Sequence, residues 1–91
     1  MKSLKSSKSR KTRVLKALAD DVRLTLLEKI SESEVCACEL PRFVNVSQPA
    51  VSQHLKTLRE AGLIEMRKDG AKRLYSISNK GKAILKDVSR W

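Results

Sequence analysis

The chain has 91 residues, with 20 Lys+Arg against 10 Asp+Glu, a formal net charge of +10, 41% hydrophobic and 33% charged residues. That length suits one domain with a marginal core, because a chain this short buries only about 60% of its unfolded surface, and so much patterned apolar content excludes a disordered tail. No apolar run approaches the ~18 residues of a membrane span, Lys16 interrupts the short apolar stretch Val14–Ala19 that a secretory signal would need, and the surplus of positive charge points to a polyanion, either nucleic acid or an anionic membrane.

Residues 1–9 are Lys/Ser-rich with one Leu and read as a mobile basic arm ahead of a single domain over 10–91. A first helix is expected from Arg10 to Leu18, with Val14, Leu15 and Leu18 on one face. Asp20 or Asp21 caps a second helix, whose apolar positions Val22, Leu26, Leu27 and Ile30 repeat at helical spacing until the polar stretch Ser31–Glu34. The segment Val35–Val44 holds Cys36 and Cys38, with a short helix expected near Leu40–Val44.

Ser47 is a good N-cap, and Pro49 is tolerated in the first turn of the helix that follows. That helix runs to about Ala61, burying Val51, Leu55, Leu58 and Ala61, and Gly62 supplies the left-handed stop. Leu63–Lys68 reads as a strand, Asp69-Gly70 as a hairpin turn and Ala71–Ser78 as the return strand, with Leu74 and Ser76 facing opposite to Tyr75 and Ile77. Asn79 caps a last helix, Lys80 to about Ser89, carrying Ile84, Leu85 and Val88.

The charge is unevenly divided. Residues 1–16 carry +7, residues 20–45 carry −3 and residues 46–82 carry +5. This pattern suits a DNA-facing side and a separate side around the cysteines. Phe43, Tyr75 and Trp91 are too few aromatics for a single-strand stacking platform. With a single His, no glycine-rich phosphate loop and no nucleophile paired with a base, the chain does not read as an enzyme. The expected compartment is the cytoplasm, where both cysteines would be mostly reduced.

Helix, short helix, tight turn, longer helix and a hairpin with a charged tip make a mainly α fold with a small β-hairpin, the winged helix-turn-helix. Its longer helix enters a major groove of double-stranded DNA. On that helix Gln48, Ser52, Gln53, His54 and Lys56, with Ser47 and Pro49 at its start, form the candidate DNA-binding set. Gln pairs with adenine and Ser with bases or phosphates. Lys56 and the wing residues Arg67, Lys68, Lys72 and Arg73 read as phosphate contacts, which give affinity and salt dependence with little sequence information. For Lys56 a solvated surface charge is an equal reading. His54 has three: packing at the helix flank, contact with phosphate, or a metal.

These residues resemble a known family. Leu18-Ala19-Asp20-Asp21-Val22-Arg23-Leu24 is similar to the opening motif of the ArsR/SmtB repressors. Ser47-Gln48-Pro49-Ala50-Val51-Ser52-Gln53-His54-Leu55-Lys56 resembles that family's recognition helix almost throughout, and Leu58–Ile64 its exit into the wing. The resemblance implies a homodimeric repressor that leaves operator DNA when a metal, metalloid or other signal is sensed. It implies a dimer interface built by the first and last helices, which fits Val14, Leu15, Leu18, Ile84, Leu85, Val88 and Trp91.

Val35-Cys36-Ala37-Cys38-Glu39-Leu40 resembles the arsenic(III) and antimony(III) sensing segment of the same family. Two reduced thiolates are a soft donor pair for As(III), Sb(III) or a soft divalent metal acting as inducer, while DNA binding itself needs no cofactor. On a regular helix residues two apart diverge, whereas on an extended segment they point the same way. Pro41 therefore matters. A helix starting there leaves 36–38 extended, and one starting at Cys36 places the proline awkwardly. Pro41 also stands where the three-cysteine arsenic sites carry their third thiolate, and residues 79–91 hold no His for the branch that senses on its last helix. Water, a small thiol or Glu39 would complete a two-thiolate site. A structural or vestigial pair and a thiol redox switch are the other readings. A nucleoid-type DNA binder without an effector and a protein-interaction module are the competing functions.

Overall fold

The computed structural model describes residues 7–91. Helix α1 (Ser7–Leu18) starts three residues ahead of the expected Arg10, so Ser7–Ser9 are helical. The first six residues of the expected arm lie outside the described residues. Asp20 is the N-cap of α2 (Asp21–Glu32), its Oδ1 accepting the Arg23 backbone N–H at 3.0 Å. That bond, more than the charge of Arg23, holds the Asp20 carboxyl below its ordinary range.

After α2 the chain forms a two-residue strand β1 (Val35–Cys36) that sequence reasoning did not separate from its surroundings. A 3-10 segment, Ala37–Phe43, follows in place of the short helix expected near Leu40–Val44. Its early start has a local cause. Cys36 Sγ accepts the Cys38 N–H at 3.2 Å, and the Glu39 carboxylate accepts the Cys36 N–H at 3.3 Å, a reciprocal cap at the entrance of the turn. Pro41 has no N–H to extend an α-helical ladder, and the seven-residue run stays in the tighter 3-10 form. Neither helix start weighed from the sequence, Cys36 or Pro41, is the one adopted.

Helix α3 (Gln48–Glu60) is capped by Ser47, whose Oγ accepts the Ala50 N–H at 3.3 Å. It ends as expected at Gly62, where φ is +79°. Leu63 N–H bonds to Leu58 O at 3.1 Å and Gly62 N–H to Arg59 O at 2.9 Å, the double closure that a left-handed residue permits. Strands β2 (Ile64–Asp69) and β3 (Lys72–Ile77) pair antiparallel, and the sheet order is β1-β3-β2. The closing pair is Asp69 with Lys72, so the two-residue loop is Gly70-Ala71, one residue later than the predicted Asp69-Gly70. Gly70, with φ +64°, takes the first central position, where positive φ favours glycine.

Helix α4 (Asn79–Val88) is capped by Ser78 rather than the expected Asn79. Ser78 Oγ accepts the Gly81 N–H at 2.9 Å and donates to Gly62 O at 2.7 Å, so one buried hydroxyl joins the end of α3 to the start of α4. The core comprises Ala17, Leu26, Leu27, Ile30, Leu40, Val51, Leu55, Leu58, Ala61, Leu63, Ile64 and Tyr75. It contains the inward residues predicted for α3 and, apart from half-buried Val22, those of α2. No helix among the described residues is long and apolar enough to cross a membrane.

Gly81 is buried, and a Cβ built on it would overlap the Leu63 carbonyl oxygen and press on Ile77. Gly81→Ala is therefore expected to destabilise the fold by about 3 kcal/mol, since backbone must move to admit the methyl. Thermal unfolding checks this; a melting point within a degree of the parent's would contradict the packing described.

Candidate nucleic-acid interface

Helix α3 has two faces because its apolar residues recur at helical spacing. Val51, Leu55 and Leu58 are buried, and Gln48, Pro49, Ser52, Gln53 and Lys56 are exposed. Gln48, Ser52 and Lys56 stand four residues apart on one stripe. That stripe forms a wall of a trough whose other wall is β3. One end, a hollow of about 420 Å³, is lined by Ser52, Lys56, Arg59, Arg73 and Tyr75 among others. The other, of about 360 Å³, is lined by Gln48, Ser52, Lys72, Arg73, Cys36 and Cys38 among others. Ala37, Ser52 and Arg73 border both, so the two hollows adjoin.

The wing splits by strand alternation. Lys68 lies opposite Arg73, on the sheet face that carries Met66 and Tyr75. Arg67 lies opposite Leu74 on the other face, as the predicted facing of Leu74 against Tyr75 requires. Its guanidinium is held in two-pronged fashion by Glu34, Nε to Oε2 and Nη2 to Oε1, both at 2.8 Å. The pair draws the Glu34 carboxyl below, and the Arg67 guanidinium above, their usual ranges. Arg67 is thus occupied, whereas Lys68, Lys72 and Arg73 are exposed without an ion-pair partner among the described residues.

His54 is half-buried, and its Nδ1 lies 3.0 Å from Arg23 Nη1. The same guanidinium donates through Nε to Ala17 O at 2.7 Å and through Nη2 to Lys16 O at 2.8 Å. Sequence reasoning missed Arg23 as a partner, for nothing local links positions 31 residues apart. It also missed Arg59 on the trough wall and Glu34 as the counter-ion of Arg67.

The cysteine pair lies against the trough, which corrects the expectation of a separate side. Cys36 is buried at the end of β1, and Cys38 is exposed in the 3-10 segment. Their sulfurs are joined as a disulfide, with Cα atoms 5.2 Å apart. Among the described residues no group of three or more His, Cys, Asp or Glu converges as a metal site.

The candidate dimer residues fall on more than one surface. Val14, Leu15 and Ile84 line an almost wholly apolar hollow of about 390 Å³ rimmed by Arg10, Lys11 and Lys80. Leu85 borders a different hollow, with Glu28 and Ile77. Leu18 and Val88 are half-buried. Leu15 is 62% and Trp91 90% exposed.

Residues 20–66 match the family described as "Bacterial regulatory protein, arsR family". The chain is 41% identical over 75 residues to the arsenical resistance operon repressor of Staphylococcus aureus, covering 82% of this chain and 69% of that one. It is 40% identical over 80 residues to the HTH-type transcriptional regulator Rv2034 of Mycobacterium tuberculosis, covering 87% and 75%. Among solved structures, HlyU from Vibrio cholerae superposes with a TM-score of 0.81 at 32% identity, covering 94% of this chain and 95% of that one.

Proposed function

Because the chain belongs to the arsR family of bacterial regulatory proteins, we propose that it is a homodimeric, cytoplasmic, sequence-specific transcriptional repressor of the arsenical-resistance type, released from its operator when Cys36 and Cys38 hold As(III) or another thiophilic ion. The observation that carries this reading is the shared trough, since both cysteines border the same hollow as Gln48, Ser52, Lys72 and Arg73. The names of the relatives from Staphylococcus aureus, Staphylococcus xylosus and Halobacterium salinarum support the arsenical type.

On DNA, Gln48, Ser52 and Gln53 read base edges from the exposed face of α3, with Ser47 and Pro49 setting its entry. Lys56, Lys68, Lys72 and Arg73 hold phosphates. Arg67 would first have to leave Glu34. The apolar hollow of Val14, Leu15 and Ile84 faces a second copy, which brings two recognition helices about one DNA turn apart.

The reduced pair supplies two soft thiolates, which fit a thiophilic ion as a chelate. With no third thiolate at Pro41, water, a small thiol or the Glu39 carboxylate, which bonds the Cys36 N–H through one oxygen, fills the remaining coordination. β1 and the 3-10 segment hold the thiols between α3 and β3, so a changed arrangement there is felt by both elements that grip DNA. The dimer then shifts toward a population with poorer half-site spacing.

The test titrates As(III), Cd(II) and Zn(II) into the protein bound to a duplex that it has itself selected from a random-sequence pool. At least one ion should release the parent, while Cys36→Ser/Cys38→Ser binds as tightly and ignores all three. An unchanged parent affinity with every ion defeats the sensing claim and leaves DNA binding standing. The joined sulfurs favour a second reading, in which a peroxide oxidises the dithiol to the disulfide and is itself reduced to water. Release by peroxide, reversed by a dithiol reductant, with no response to As(III) would select it.

A further inference from the structure

Arg23 joins three helices through one planar group. Nε and Nη2 donate to the carbonyls of Ala17 and Lys16 in the last turn of α1, and Nη1 reaches His54 on α3. Its own backbone N–H is held by Asp20 at the start of α2. The positive group sits at the last turn of α1, the favourable end of that helix for a cation. A guanidinium has donors only, so the partner nitrogen of His54 accepts and the ring proton is on Nε2. Lysine would not reproduce this, because three acceptors are met by three separate nitrogens of one planar group, whereas an ammonium donates from a single atom.

We infer that Arg23 and His54 are positioning residues for DNA recognition. They set how α3 sits against α1, and the setting holds only while His54 is neutral. α1 carries the proposed dimer face and α3 the recognition face, so their relative placement determines the spacing of the two half-site readers. A protonated imidazole cannot accept from a guanidinium, and the two become like charges in contact. Asp20, at the α1–α2 junction, is a further charged group that acts on the ring. Among the described residues no ionisable side chain of β2 or of the 3-10 segment bonds to the ring. Asp20 accepts the Arg23 backbone N–H through Oδ1.

The inference rests on the DNA-binding reading and gives it a sign. If His54 met a phosphate, its added charge at low pH would tighten binding. As a neutral acceptor it loosens binding when protonated.

The test measures affinity for the selected duplex from about pH 8 to about pH 5.5, the range in which imidazoles gain their proton, at fixed ionic strength. The parent should weaken about tenfold relative to His54→Asn, since a bond to a charged donor is worth that much. Asn keeps an acceptor near the Nδ1 position and does not titrate, so His54→Asn should hold its affinity across the range. His54→Ala should be weak at both ends. Tighter parent binding at low pH, or the same profile for parent and His54→Asn, overturns the inference. Imidazole 15N shifts of the free protein test it without DNA: a proton on Nδ1 at about pH 8 overturns it. A parent that binds no duplex at pH 8 defeats the DNA-binding reading instead.

Discussion

Leu15→Glu is expected to leave a folded monomer whose affinity for the selected duplex is lower by about two to four orders of magnitude. The size of the effect comes from linkage rather than from a lost DNA contact. In a dimer the second recognition helix binds at the effective concentration set by the first, and a monomer loses that term entirely. Leu15 is the residue to change because it is 62% exposed and beside Val14 and Ile84 in the apolar hollow. The fold does not depend on its burial, yet a two-fold interface would bury it twice. Covering a leucine contributes about 1.5–3 kcal/mol, and a glutamate in its place leaves an unpaired charge in each copy. Sedimentation and a thermal melt separate the outcomes. An intact dimer with parental affinity would show that α1 is not the interface, and a monomer with parental affinity would show that one helix suffices.

Lys72→Ala/Arg73→Ala should weaken binding to every duplex alike, by about 30-fold per half-site and so roughly a thousandfold for the two-fold dimer near 0.15 M salt, and reduce the slope of log affinity against log salt by about 3.6, since four contacts are lost. Each phosphate contact releases about 0.9 counterion, which at that salt concentration is worth roughly fivefold per contact. Both side chains are exposed on β3 and border the trough opposite α3. Gln53→Ala behaves differently in kind, changing which sequences are preferred while leaving the salt slope near the parent's. Arg67→Ala should move the slope less than either wing cation, because Glu34 already binds that guanidinium at 2.8 Å. An Arg67 effect equal to that of Arg73 would mean the pair opens on DNA.

Most of the fold is legible along the chain because its signals are local. Ser47 before Pro49, Gly62 after the stripe Val51, Leu55 and Leu58, and glycine in a tight turn each determine backbone within a few residues. One misplaced boundary, the cap of α4, lies where a distant partner decided between neighbouring residues. Ser78 outcompetes Asn79 because its hydroxyl also reaches Gly62. β1 is too short to show period-two alternation and exists because β3 offers Val35 and Cys36 a partner edge.

The sequence by itself determined the architecture, the uneven charge that marks a DNA binder, and the presence of two soft donors one residue apart. Periodicity, caps and composition act at short range and need no knowledge of the rest of the chain. Tertiary structure alone decided which groups meet. It folded the acidic stretch so that Cys36 and Cys38 came to border the trough between α3 and β3. It gave Arg67 to Glu34 and so withdrew one cation from the wing, and it gave His54 to Arg23. These pairings join positions more than 30 residues apart, where no spacing rule operates and only the packing of α1, α2 and the sheet around α3 brings the partners within bonding distance.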